Sequence, residues 1–574
     1  MMTPKVLRLL LFPLLILAVA GVRAAELEVI VEPENDALQS NIRAHVGDLG
    51  DRNAASLRRF AAHARDSATE AIRALGYYDG DIRYQVVEGD PPVLRLEVAP
   101  GEPVRLTSVR IEVRGEGADL AAFEVPGRLR PEVGDVLNHG HYEQVKRFLR
   151  GRAQTHGFFD GEFVTRELRV RPDEREAEIR LLYDSGPRYS LGEAHFPEDI
   201  YFEQDLLKRF VRFEPGTPYH SDRVIELTQD LRGAGYFSEV LVDADPGAAD
   251  NGEIPVDVTL DERTRHSLGT GVGFSTDVGP RLRATWDQHY VNPQGHRRGM
   301  EFEVSRPRQN AGLYYELPLN PPMTDSLRFT GSYQNEDIED TRSRRISLGG
   351  QWQSELDSGW QQVVSLQREE VRFRVGDDRE QRTVLVLPGL SYSYLYRNSP
   401  VDPSRGYRFQ FESSGGQRDL LSDIDVIHLV ASARGLITVG NGHRFLARVR
   451  AGGIGTNEFD QVPPFLRFFA GGDQSVRGYG YRTLGPTDED GDNVGGRFLL
   501  TGSVEYQYPL SNSWRLATFV DEGNAFDDLG DPLKTGVGVG IRWVSPVGPI
   551  RLDIARGLDE PENFRLHFSM GPEL

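Results

Sequence analysis

The sequence predicts three tandem α+β repeats followed by a membrane β-barrel of about 16 antiparallel strands with an inward-folded lid loop. Three observations carry this expectation. A Gly-aromatic-aromatic element recurs at Gly76, Gly157 and Gly235, at spacings of 81 and 78 residues, each time after a helical stretch. Helical periodicity then stops near Arg265. Beyond it, roughly 300 residues alternate polar and apolar side chains between clusters of Gly, Pro, Asn and Asp.

The chain starts with basic residues Lys5 and Arg8, an apolar run from Leu9 to Val22, and the small-residue exit Ala24-Ala25. This is the pattern of a secretory signal peptide over residues 1–24, with a membrane anchor as the competing reading. Cysteine is absent, which excludes thiolate chemistry, Cys-ligated metal and a disulfide framework. A net charge of −21 argues against a nucleic-acid partner.

The repeats are assigned to residues 25–103, 104–187 and 188–264. In the first, Leu57, Phe60, Ala61, Ala64, Ala68, Ile72 and Leu75 recur at helical spacing. Tyr142, Val145, Phe148 and Leu149 do so in the second, and Val224, Leu227 and Leu231 in the third. The glycine that follows stops each helix, and alternating segments such as Val93–Val98 come next. Each unit therefore reads strand, helix, helix, strand, strand, with a period too long for a solenoid.

Residues 265–574 read as the barrel. Arg297 to Arg306, Ala311 to Leu319, Ser326 to Tyr333, Val384 to Tyr396, Gly406 to Phe411 and Val426 to Val439 are among its expected strands. A soluble sandwich is disfavoured by the length of the strand-rich region and by its apolar faces. Near the end, Val537, Val539, Ile541 and Trp543 share one face, and Gly536, Gly538, Gly540 and Arg542 the other. Ile550, Leu552 and Ile554 likewise oppose Arg551 and Asp553. Lipid takes the apolar faces, so the lumen receives charge beside glycines. Glycine inside a strand implies close approach of another backbone.

A connection of about 40 residues, between Ile454 and Arg497, can supply that backbone. It contains Val476, Arg477, Gly478 and Tyr479. An arginine between glycine-rich turns suits a bidentate carboxylate partner, either Asp521 or Asp553. A structural turn arginine is the plainer alternative.

These residues resemble the BamA/TamA-type barrel assembly superfamily, whose periplasmic modules are POTRA domains. Val476-Arg477-Gly478-Tyr479 is similar to its lid-loop tetrad, and Phe519, Asp521 and Gly523 to its Phe-x-Asp-x-Gly strand. Gly538, Gly540, Arg542, Ser545, Pro546, Gly548, Pro549, Arg551 and Asp553 are similar to its closing segment. Three POTRA-like repeats and the ending Gly571-Pro572-Glu573-Leu574 look like the TamA type within that family. The resemblance implies an outer-membrane insertase or translocation factor for outer-membrane proteins, autotransporters included. It also implies POTRA-like domains in the periplasm, the first meeting a TamB-like inner-membrane-anchored partner. Phe519, Asp521, Gly523, Arg542, Arg551 and Asp553 become the expected lumen partners of the lid. A lateral seam is expected where Leu268, Gly269, Gly271 and Gly273 of the first strand meet Phe568 and Gly571 of the last. The competing class is a secretion pore for one dedicated substrate, of the two-partner type.

No catalytic constellation, metal site or cofactor motif is expected. Asp488-Glu489-Asp490-Gly491-Asp492-Asn493 lacks the glycine position and closing Glu of a calcium loop. The Gly-x-Gly-x-Gly run opens no helix and is no nucleotide fingerprint.

Overall fold

The computed structural model describes residues 24–545, 548–560 and 564–570. The expected signal peptide, apart from Ala24, lies outside them, as do Pro546 and Gly571. The chain forms two compact units, and the division runs through the third repeat. One unit reaches Glu193 and adds Phe213–Arg223 and Ala244–Pro255. The other holds Ala194–Arg212, Val224–Asp243 and the chain from Val256.

The first repeat comprises β1 (Glu26–Val31), α1 (Asp36–Val46), α2 (Ala54–Ala74), β2 (Asp81–Val87) and β3 (Val93–Ala99). β3 is central, parallel to β1 and antiparallel to β2. Asn35 and Asn53 cap the two helices by accepting the Leu38 and Ser56 N–H groups. The periodic face of α2 is buried on Leu94, Leu96 and Val98. The second repeat has β4 (Arg105–Arg114), α3 (His139–His156), β5 (Glu162–Arg171) and β6 (Glu176–Asp184), with β6 central. Its first expected helix is reduced to a 3-10 turn at Ala121–Phe123. Pro126 and Gly127 follow closely and keep the turn from continuing as a helix. The third contains β7 (Ser190–His195), α4 (Gln204–Lys208), β8 (Thr217–Pro218), α5 (Ser221–Gly233), β9 (Phe237–Asp243) and β10 (Glu253–Glu262).

Sixteen strands follow in one sheet, every neighbour consecutive in the chain and antiparallel. They are β11 (His266–Ser275), β12 (Gly279–Gln288), β13 (Arg297–Ser305), β14 (Arg308–Pro318), β15 (Ser326–Ile338) and β16 (Thr341–Glu355). Next come β17 (Gln361–Val375), β18 (Gln381–Arg397), β19 (Arg405–Gly416), β20 (Val426–Val439) and β21 (His443–Gly455). The last five are β22 (Phe498–Pro509), β23 (Trp514–Phe526), β24 (Lys534–Ser545), β25 (Gly548–Gly557) and β26 (Phe564–Met570). The sheet curls into a nearly closed barrel. Its end strands, β11 and β26, approach one another without a continuous ladder among the described residues.

Alternation sets the two faces. Val272, Phe302, Leu313, Val504, Val539 and Ile554 are exposed on the outside, as a lipid-facing belt requires. Trp514 and Trp543 stack across the β23–β24 ladder, with centroids 5.6 Å apart, near one rim. Residues 456–497 do not extend outward. They fold into the lumen, where Val462, Leu466, Phe468, Val476 and Tyr479 join a core with Leu385, Leu387, Val430, Ile454 and Leu499. No helix of the described residues is long and apolar enough to cross a membrane.

Candidate functional site

β22 to β25 form the wall against which the lid rests. β22 turns Thr501, Ser503, Glu505 and Gln507 inward, all buried and all polar. β23 presents Phe519 and Asp521, β24 presents Gly536 and Arg542, and β25 presents Asp553. A Cβ at Gly536 would collide with the Arg477 carbonyl oxygen, so this glycine admits the lid backbone. The glycines do not all serve this purpose. The Phe519 ring covers Gly538, and the Asp553 carboxylate covers Gly540. Gly478 has φ +96 and lies against the backbone of Arg556 and Gly557, where no side chain fits.

Arg477 is held from every side. Its Nε and Nη2 donate to the two Asp521 oxygens at 2.7 and 2.9 Å, and its backbone N–H donates to Asp521 at 3.0 Å. Nη1 donates to Glu505 at 2.9 Å and to Asp553 at 3.1 Å. The guanidinium carbon stands 3.3 Å above the Phe519 ring centroid, a cation–π contact. The two carboxylates that the sequence offered as alternatives thus both bind Arg477, and Glu505 is a third. Arg542 donates to Glu505 and Asp553. Arg448 reaches Asp521 at 3.4 Å and the Ser475 carbonyl at 3.0 Å. Three arginines therefore match three carboxylates in a buried network. Such networks fix geometry more reliably than they add stability, because desolvation opposes the attraction.

A second set of bonds runs from the lid to both sides of the seam. The Gly478 N–H donates to His567 Nε2 on β26 at 2.9 Å. That nitrogen is therefore an acceptor, and Nδ1 carries the proton toward Asp473 Oδ1, 2.7 Å away. Thr276, in the turn between β11 and β12, donates its hydroxyl to the same oxygen at 2.8 Å. Asp473 donates its N–H to Asp277 in that turn. Thr276 and Phe568 bridge the strands directly: the Thr276 N–H donates to the Phe568 carbonyl at 3.3 Å, and the Phe568 N–H donates to the Thr276 hydroxyl oxygen at 3.1 Å. Burial and the adjoining Asp473 carboxylate push the Asp277 acid up to about 7. Tyr479 donates to Asp559 at 3.0 Å and to the Thr535 carbonyl.

Val476, Arg477, Gly478 and Tyr479 thus lie in the lumen, with Phe519, Asp521, Arg542 and Asp553 around Arg477. Two expected partners sit differently. Gly523 packs on Leu500 and Thr501 of the neighbouring strand instead of the lid. Arg551 faces Arg542 across the β24–β25 ladder and lines a cavity that Arg477 also borders. At the seam, Gly269 and Gly273 lie against Thr285 and Arg281 of β12, Leu268 points outward, and Phe568 meets Thr276. Glu505, Ser503, Arg448, Asp277, Asp473 and His567 also hold the lid, and no sequence motif singles them out. Glu505 and His567 carried one usable signal, a polar residue between outward apolar neighbours: Val504 before Glu505, and Leu566 and Phe568 around His567.

Residues 261–573, more than half of the chain, match the Omp85 superfamily domain. Residues 28–100 match the POTRA domain described as TamA domain 1, and residues 192–263 match the POTRA family described as surface antigen variable number repeat. Outer membrane protein assembly factor BamA of Nitratidesulfovibrio vulgaris is 26% identical over 398 residues, covering 64% of this chain and 49% of that one. BamA of Neorickettsia risticii is 24% identical over 86% of this chain and 69% of its own. Outer envelope protein 80, chloroplastic, of Arabidopsis thaliana is 32% identical over 59% of this chain and 49% of its own. The chain spans about half the length of the first of these relatives. The crystal structure of BamA from Haemophilus ducreyi lacking POTRA domains 1-3 has the same fold, with a TM-score of 0.66 at 15% identity over 81% of this chain and 99% of that one. With its sixteen-stranded barrel, its lumenal lid and a family match across the whole barrel region, the chain belongs to the Omp85 superfamily.

Proposed function

We propose that this protein is a non-enzymatic outer-membrane insertase, the TamA-type subunit of a two-part translocation and assembly module. On this reading it helps outer-membrane proteins, autotransporters included, to enter and fold in the bacterial outer membrane. The observation that carries the proposal is the pairing of a lumen filled by the lid with a barrel whose end strands lack a continuous ladder. An obstructed lumen is a poor route for export, whereas an unpaired strand edge in lipid can template an incoming strand. The match of residues 28–100 to the first TamA POTRA domain supports the TamA-type assignment. The repeats, bounded near residues 25–103, 104–187 and 188–264, would extend into the periplasm. There the first meets a TamB-like, inner-membrane-anchored partner, and exposed strand edges accept client segments.

Arg477→Ala tests the proposal. It removes the side chain on which three carboxylates converge. Assembly of a client autotransporter, scored by heat-modifiable mobility and surface exposure, should fall sharply while the variant barrel still inserts. Normal client assembly together with raised ion conductance would favour the dedicated secretion pore. Copurification of a TamB-like protein that is lost when residues 25–103 are deleted tests the partner.

A further inference from the structure

The lumen beneath the lid carries a row of arginines of which only Arg448 reaches the lid network. Arg408, Arg434 and Arg448 are direct cross-strand partners over two consecutive ladders, β19–β20 and β20–β21. Each sits on the inward face. Tyr407 and Phe409, exposed outside, flank Arg408, and Val449, also exposed outside, follows Arg448. Arg450 lies two residues from Arg448 on the same face, and Arg551 is near enough to repel Arg434. Like charges directly opposed across a ladder are destabilising. Among the described residues, the side chains of Arg408, Arg434 and Arg450 make no hydrogen bond or ion pair. Asp521, Glu505 and Asp553 are already committed to Arg477 and Arg542. The row persists in a chain of net charge −21, so it does not follow from composition.

The row borders a cavity of about 190 Å³ lined by Arg434, Arg448, Arg450, Glu412 and the lid residue Gln474. Glu412 is its one acidic liner and already accepts from Gln410 at 2.5 Å. Guanidinium forks lining one cavity suit an oxyanion, which can accept two hydrogen bonds from each.

We propose that Arg434, Arg448 and Arg450 form an oxyanion-binding site under the lid, taking a carboxylate or a phosphate group. Occupancy relieves the repulsion along the row. It also secures the lid through Gln474, which borders the same cavity. Two sources share this chemistry: the carboxylates of an acidic polypeptide segment and free phosphate.

Thermal unfolding of the full-length protein in detergent, at matched ionic strength in chloride, inorganic phosphate or a tetraglutamate peptide, tests this. The native protein should gain about 3 °C in phosphate, in the peptide, or in both, and the arm that shifts identifies the source. Arg434→Gln and Arg450→Gln should unfold at a higher temperature than the native protein in chloride, because repulsion is relieved. Both should lose the anion-dependent gain. Glu412→Gln should enlarge it. No shift in either anion overturns the proposal. So does an equal shift in both glutamine variants, which would mark a general salt effect. Should Arg434→Gln fail to fold, Arg450→Gln alone carries the comparison, and an undiminished gain in that variant overturns the proposal.

Discussion

At the scale of residues, Asp521 holds the lid more firmly than any other single group. It accepts three bonds from Arg477, one from Arg448 and one from Ser503. Asp521→Ala leaves two guanidinium groups buried and under-paired, at a cost of about 3–5 kcal/mol. Arg477→Lys is no milder in kind, because an ammonium cannot span both Asp521 oxygens while reaching Glu505 and Asp553. Both variants should expose the lid to protease at Arg477 or its neighbours, where the native protein resists. A resistant lid in Asp521→Ala would show that apolar packing alone seats it. Arg477 and Asp521 were legible in the sequence because each stands in a glycine-flanked pattern with few other uses. Glu505 was not, since its role depends on a register across the β22–β23 ladder that local spacing does not encode.

At the scale of elements, alternation made most barrel strands readable, because a period of two separates lipid from lumen without tertiary information. The route of the lid was less readable. Its glycines announced sharp turns, and the Gly536-Gly538-Gly540 stripe announced close approach, but only Gly536 receives lid backbone. Gly538 and Gly540 make room for Phe519 and Asp553, residues of the wall itself. This difference is testable. Gly536→Val should unseat the lid and raise its proteolysis to the level of Asp521→Ala, while barrel heat-modifiability persists. Gly523→Ala acts on the β22–β23 wall instead, so it should lower barrel stability and leave the lid protected. Equal lid exposure in both variants would show that the glycines act only through general wall stability. The missing first helix of the second repeat has the same lesson in reverse. Similarity between repeats predicts a helix where Ala121–Phe123 forms a single turn ahead of Pro126 and Gly127.

At the scale of the whole molecule, the lid and the seam are one system. Asp473 joins the β11–β12 turn, and His567 joins β26 to the lid backbone. Separating the end strands must therefore break lid contacts, and releasing the lid must weaken the seam. Asp277 should make this coupling depend on pH. Its acid is raised from 3.8 to about 7 in the closed seam. Once the turn leaves Asp473 and becomes solvated, the ordinary value returns. Between about pH 4 and pH 7 the closed form therefore holds a proton that the open form has lost. Closed-state stability from this group is complete below pH 4, declines as pH rises to 7, and is constant above. One linked proton changes the opening equilibrium by up to about tenfold per pH unit within that window. The chain has no cysteine, so spin labels can be placed uniquely at Val272 on β11 and Leu566 on β26, both exposed on the lipid face. Their distance distribution should shift toward separation as pH rises from 4 to 7. Asp277→Asn, neutral throughout, should abolish the slope and keep the seam closed at pH 7. An unchanged slope in Asp277→Asn would assign the titration to another group. No slope in the native protein would mean that Asp473 and Asp277 do not govern the seam.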